Sequence, residues 1–458
     1  MNANVFLHAD NKTLSLNEWP PDIKNHPESL HKCKLSYPQW FYLQVALFEN
    51  VDYDRAASML QPAPYPESYP KLAKLDLLQI QAAALAELGH KNRFYRPPQT
   101  TRFEDGPNST GVMMHASTGS GMDTSGLNDG SKSSTLVNYI SDAWNWGAEM
   151  YVFVISFLLD PERSIIILSF CECEVRFVKK APTSEGYIVF FSWYGSNRRD
   201  FRSVFDQDLM WVHAKKCVFF GAGALGTPEI LLRSKQRGLP MSPAVGKDMS
   251  GNGDILGFGY NTDYEVNAIA RLHPNPKAPV GPTITGIIDC RDQDNALDGF
   301  VIEEGAVPAG LASGLQILIE STPGKIFPKK WGLAQQFRHF ISSKRSWIFG
   351  PYANGGSAER TQVYLIMSHD SNQANLTLDD SGRPVLEFLG VGRGDHVPIL
   401  NDVMAKATSA VGGTFVNNPF FATLGKQEVR PILVFPLLSC LTWRGSNRQL
   451  SIQSGEQT

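Results

Sequence analysis

The chain lacks a dominant charge of either sign. Its 42 Lys and Arg residues are offset by 45 Asp and Glu, a formal net charge of −3 at pH 7 over 458 residues. That balance advertises no basic surface for nucleic acid or for an anionic membrane. Cysteine is sparse, six residues of which only Cys171 and Cys173 lie close together. One C-x-C without matching His or Cys pairs is not a zinc site, and scattered cysteines argue for reduced thiols in an intracellular protein. No secretory signal opens the chain, and no uninterrupted apolar run spans a bilayer. The longest candidate, Tyr151 to Phe170, is divided by Asp160-Pro-Glu-Arg-Ser164, so no integral membrane segment is expected. Charged residues are only 19% of the chain and aromatics 11%, which suits a globular enzyme with a large interior, divided into two domains.

The most informative stretch runs from Lys215 through Cys217-Val-Phe-Phe-Gly-Ala-Gly-Ala-Leu-Gly-Thr-Pro-Glu229 to Ser234. It reads as a buried strand, a glycine turn and an amphipathic helix. Gly221, Gly223 and Gly226 present no Cβ, so main chain there can approach a flat or anionic ligand. Thr227 is placed to cap the helix, and Pro228 suits its first turn. A lone G-x-G-x-x-G is more often tight packing than a cofactor site. A nicotinamide dinucleotide site would need a second strand ending in an acid. Gly238 to Asp254 is instead rich in turn formers, which leaves an NAD-dependent dehydrogenase as the weaker reading.

Along the rest of the chain, the spacing predicts helices over Leu72–Leu88, Thr135–Gly147 and His396–Ala410. Strands are expected at Cys171–Val178, Tyr187–Trp193 and Leu209–Lys215, a meander leading into the glycine turn. Further strands at Ile255–Asn261, Ile284–Cys290, Phe300–Glu304, Gln362–His369, Asn375–Asp379 and Val385–Leu389 would build a mainly antiparallel second domain. His213, His369 and His396 are read as structural hydrogen-bonders.

Three blocks in order resemble the glucose–methanol–choline family of flavin oxidoreductases, in its cholesterol oxidase-like branch. They are the glycine turn with Thr227-Pro228, Met249-Ser-Gly-Asn-Gly-Asp254, and Val301-Ile-Glu-Glu-Gly-Ala-Val-Pro-Ala-Gly-Leu311. The resemblance covers most of residues 1–428. It implies an α+β or α/β chain: an incomplete Rossmann-like FAD-binding domain over 1–255, then a substrate domain with a mainly antiparallel sheet over 256–428. Residues 429–458 would form an atypical, disordered tail. It also implies FAD as cofactor, a 3β-hydroxysteroid such as cholesterol or another alcohol as substrate, and molecular oxygen as acceptor. Gly221, Ala222 and Gly223 would touch FAD, and Val175 would bond the adenine through its backbone. Asn2, Ala3, Asn4 and Val5 would lie near the isoalloxazine, and Asn252 and Gly253 by the flavin or the substrate wall. Glu303 would be the base that moves a proton between steroid carbons. Most glutamates are surface carboxylates, and it is the resemblance that lifts Glu303 above them.

The chain departs from that family in three ways. The glycine fingerprint expected ahead of Asn2 is absent, and so are the catalytic His and the Asn expected after residue 428. Residues 33–51 and 151–169 read as apolar insertions that split otherwise continuous elements, as translated intron sequence would. A non-catalytic, defective paralogue or a mis-spliced product is therefore the alternative to an active oxidase.

Overall fold

The structure is a computed structural model. It describes residues 54–151, 167–170, 173–182, 185–193, 209–251, 253–293, 295, 298–326, 331–370, 374–387 and 396–418. In chain order the longer elements are α1 (Ala73–Glu87), β1 (Arg93–Tyr95), α2 (Tyr139–Asn145), β2 (Cys173–Lys180), β3 (Tyr187–Trp193), β4 (Met210–Ala214) and α3 (Gly223–Gln236). They continue with β5 (Ile255–Tyr260), β6 (Ile287–Cys290), β7 (Phe300–Gly305), α4 (Ala312–Ser321), α5 (Leu333–Phe349) and β8 (Gln362–Met367). The last are β9 (Asn375–Leu378), β10 (Pro384–Glu387), α6 (His396–Ala410) and β11 (Thr414–Asn417).

A six-stranded sheet in the order β1-β6-β7-β8-β5-β11 organises this set, and every neighbouring pair is antiparallel. Its interior strands are rich in Val, Ile, Phe and Tyr, as a sheet covered on both faces requires. One face packs on α1 and α6. Leu78, Ala82 and Leu85 of α1 and Leu400, Val403, Met404 and Ala407 of α6 meet Ile288, Ile302, Tyr364 and Ile366 of the strands. Helix α1 is built almost wholly from Ala, Leu, Gln and other strong helix formers. It is buried on several sides, so its polar residues need partners. Gln81 donates to the Tyr364 hydroxyl, which also meets Thr408 of α6 at 3.1 Å. The opposite face is covered in part by α4, where Phe258, Val363, Val416, Ala312 and Ile319 cluster.

Strands β2, β3 and β4 form a separate antiparallel meander, with a bulge between Val175 and Phe177. Helix α3 packs against β2, where Ser234 Oγ accepts from the Val178 amide at 2.8 Å. Strands β9 and β10 make a hairpin of their own. The chain is thus an α+β protein with mainly antiparallel sheets. Among the described residues, no helix is long and apolar enough to cross a membrane.

Two expectations need correction. The buried strand expected over 215–220 ends at Ala214, and Phe219 is 91% exposed. Among the described residues no parallel sheet lies beside it to take up its main-chain groups, and a strand without a ladder does not form. Helix α3 starts at Gly223, earlier than Thr227. The Thr227 hydroxyl instead reaches back to accept from the Ala222 amide at 3.2 Å, and Pro228 lies inside the helix. Elsewhere the strands of the meander and of the large sheet lie within a few residues of their expected ranges. The helices α4 and α5 and the strands β1 and β11 had no counterpart in the sequence reading.

Buried within the α1 face is an ion pair between Lys74 Nζ and Glu304 Oε2 at 2.5 Å, both side chains fully inaccessible. Lys74 also donates to the Pro282 carbonyl, while Glu304 Oε1 accepts from the Thr285 amide at 2.5 Å and from the Thr285 hydroxyl. Removing one partner of such a pair strands the other charge in the interior. Lys74→Met is expected to cost roughly 3–5 kcal/mol in urea unfolding at neutral pH. A loss below about 1 kcal/mol, the scale of a surface pair, would show that Glu304 is not held as described.

Candidate functional site

Side chains alternate across a strand, so Glu303 and Glu304 of β7 point to opposite faces of the sheet. Glu304 enters the α1 face and meets Lys74. Glu303 stands on the other face, opposite Ile287 of β6 and Leu365 of β8, with Leu256 of β5 one strand further on. It is 7% exposed. Its Oε2 is buried without a hydrogen-bond partner among the described residues. Burial in this apolar setting pushes its carboxyl up from 4.5 to about 8, and the charges of Asp254 and Glu304 push the same way. A carboxyl of this kind is mostly protonated at neutral pH and becomes a strong base once ionised.

The rim of this face is formed where β5 begins and β8 ends. Gly253 takes φ +61°, and a Cβ there would stand 2.2 Å from the Ser368 carbonyl oxygen. Only glycine allows the two chains to close in this way. Ser368 Oγ donates to the Gly253 carbonyl at 2.8 Å, and Asp370 accepts from the Gly251 amide at 2.5 Å. These contacts carry Asp254 toward Glu303. Leu256, Leu365 and Met367 on this side are only half-buried, so the carboxylate sits at the edge of an apolar shelf that α4 covers in part.

The expected site residues therefore divide. Glu303 and Gly253 lie on neighbouring parts of one sheet. Gly221, Ala222 and Gly223 lie elsewhere, at the start of α3, and all three are exposed. The space a Cβ would fill at Gly221 and Gly223 is open, and Gly223 adopts φ +77°. Val175 is half-buried on β2 opposite Phe191, on the strand that packs against α3. Asn2, Ala3, Asn4, Val5 and Asn252 lie outside the described residues. His213 makes a structural contact, 2.9 Å from the Glu185 carbonyl. Two open grooves of about 460 and 530 Å³ exist, one beside Tyr65 and Phe103 and one between Leu232 and Leu376, and Glu303 lines neither.

The sequence reading missed Asp254 and Lys74 as determinants of this site. Asp254 sits two residues from the resembling Asn252, which was a usable signal. Lys74 is 230 positions from its partner and carries no local mark of it. No group of three His, Cys, Asp or Glu side chains is placed to hold a metal ion among the described residues. No protein-family model matches the chain, and no curated protein matches it.

The raised carboxyl sets a sign for stability against pH. The unfolded chain releases this proton near 4.5 and the folded chain near 8. Between those values the folded state binds one more proton, so this group's contribution to stability falls as pH rises across the window and is lost above it. Glu303→Gln removes the slope. The variant is expected to unfold at higher urea than the parent at about pH 9, and at nearly the same urea at about pH 4. Parallel urea–pH curves for the two proteins would contradict the assignment.

Proposed function

We propose that this chain is a flavin-type oxidoreductase acting on the CH–OH group of an apolar secondary alcohol, a 3β-hydroxysteroid such as cholesterol being the substrate class. Glu303 is the group that moves a proton on the substrate carbon skeleton. The observation that carries this reading is the unpartnered, nearly buried Glu303 carboxylate with its carboxyl raised to about 8, at the rim of an apolar shelf. The resemblance of residues 301–311 and 249–254 to cholesterol oxidase-like sequences supports it.

In such enzymes FAD accepts the hydride from the carbinol carbon. The described residues do not complete a cradle for it. The glycine turn is open to solvent, no strand precedes it over 217–220, and no parallel strand–helix–strand unit surrounds it. The Rossmann-like FAD domain and the cofactor thus enter the proposal through the resemblance alone.

The proton chemistry rests on this chain's own carboxylate. In a 3-keto-5-ene steroid, the carbon between carbonyl and double bond carries a weakly acidic proton. Ionised Glu303 takes that proton, the electron pair moves into a dienolate, and the carboxyl returns the proton two carbons along to give the conjugated enone. Atoms and charge balance without a redox partner. Desolvation strengthens the base, and the half-buried Leu256, Leu365 and Met367 offer an apolar surface to the ring system.

Purified full-length protein is expected to convert cholest-5-en-3-one to the conjugated enone, followed by ultraviolet absorbance. The rate should rise with pH and level off above about 8, because the ionised form is the active one. Glu303→Gln should slow the reaction by about 10²–10⁴-fold. Equal rates for parent and variant at every pH would sink the role of Glu303. A second reading, a chain that no longer binds cofactor, is favoured by the exposure of Gly221 to Gly223. Quenching of flavin fluorescence on titrating FAD with the protein supports the oxidase; unchanged fluorescence at excess protein supports the second reading.

A further inference from the structure

Helix α5 is amphipathic in the inverted sense. Its inward stripe is polar: His339, Ser342 and Ser346 are buried. These residues dock the helix by hydrogen bonds rather than by apolar packing. Ser342 Oγ donates to Asn261 Oδ1 at 2.6 Å, Asn261 Nδ2 donates to the His339 carbonyl at 3.1 Å, and Ser346 Oγ accepts from the Ala358 amide at 3.0 Å. Arg338 reinforces the attachment through the Thr262 carbonyl, at 3.1 Å, and Asp263.

The outward stripe is apolar. Leu333, Phe337, Phe340, Ile341, Trp347 and Ile348 recur at helical spacing and are 43–85% exposed. Lys344 lies within this stripe, its ammonium 5.6 Å from the Phe340 ring and 6.0 Å from the Trp347 ring. Lys344 and Arg345 are both exposed. Between Glu320 and Glu359 the sequence contains six Lys and Arg residues and no Asp or Glu. The whole-chain charge of −3 averages this segment away.

We propose that α5 seats the protein on an anionic phospholipid surface. Aromatic and aliphatic side chains of the outward stripe enter the headgroup–acyl boundary, while Lys344 and Arg345 meet lipid phosphates. The combination of Trp, Phe and Ile with flanking cations, on a helix already anchored through its polar side, matches an interfacial helix rather than a core helix that lost its cover. Charge decides against a second copy as occupant. Helix α5 itself carries no acid, and the adjacent Asp263 is engaged by Arg338. Pairing α5 with itself would therefore set Lys344 and Arg345 of two copies against each other, whereas an anionic bilayer supplies the opposite sign.

Full-length protein should co-sediment with vesicles of phosphatidylcholine and phosphatidylglycerol in equal parts about tenfold more than with phosphatidylcholine alone, and less as salt rises. Trp347 fluorescence should shift to the blue on binding, isolated by comparison with Trp347→Phe. Lys344→Glu with Arg345→Glu should abolish the preference for anionic vesicles, and Phe337→Ser with Trp347→Ser should abolish binding to both. These positions are exposed, and circular dichroism of each variant confirms retention of the fold. Absence of sedimentation with anionic vesicles overturns the proposal. So does binding that survives both double substitutions, or a dimer in sedimentation velocity that Phe337→Ser with Trp347→Ser dissociates. None of these readouts depends on turnover, so the outcome is independent of the proposed reaction.

Discussion

Two consecutive glutamates on a central strand cannot face the same way, and this single constraint shapes the site. Strand β7 must send Glu303 and Glu304 to opposite faces of a sheet covered by α1 and α6 on one side and in part by α4 on the other. Each buried carboxylate must then be paired or keep its proton. Glu304 is paired by Lys74 and held by Thr285. Glu303 is buried, is pushed the same way by the charges of Asp254 and Glu304, has no cation acting on it among the described residues, and keeps its proton to about 8. The same strand thus carries one carboxylate paired to a cation and one whose carboxyl is raised by burial, and the distinction lies in what the two faces offer.

The Lys74–Glu304 pair connects this local difference to the fold. Lys74 sits in the first turn of α1, and Gln362 of β8 also binds its carbonyl at 3.2 Å. The pair therefore fixes α1 over β7 and β8 and sets which way β7 faces. A one-residue slip of that strand would exchange Glu303 and Glu304 between the faces. It would put an unpaired carboxylate against α1 and leave Lys74 without an anion. Register at β7 is specified by charge as well as by Ile302 and Val301.

Much of this sheet was legible in the sequence, because its strands are Val-, Ile- and Phe-rich runs bounded by turn residues. Helices α1 and α6 were legible for the matching reason, apolar residues at helical spacing between breakers. The glycine turn misled. Cys217-Val-Phe-Phe220 has the composition of a buried strand, yet strand formation needs a neighbouring ladder, and composition cannot report one. Helix α5 was overlooked because its buried positions are His339, Ser342 and Ser346, whereas pattern reading assigns apolar residues to the interior. Nothing in the local sequence marks Glu303, and only the resemblance singles it out. Its raised carboxyl follows from burial, from Asp254 just before β5 and, among the described residues, from the absence of a cation acting on it, and these are properties of strand pairing across the sheet.

The claim on which the account turns is that Glu303 is an uncompensated carboxyl facing an apolar shelf. Carbon-13 NMR titration of the glutamate side-chain carboxyls, with Glu303→Gln to assign the resonance, measures this directly. The account predicts a midpoint near 8 for Glu303. A midpoint near the ordinary glutamate value of 4.5 would mean that the carboxylate is solvated or paired, and would remove the basis for proton transfer at this site.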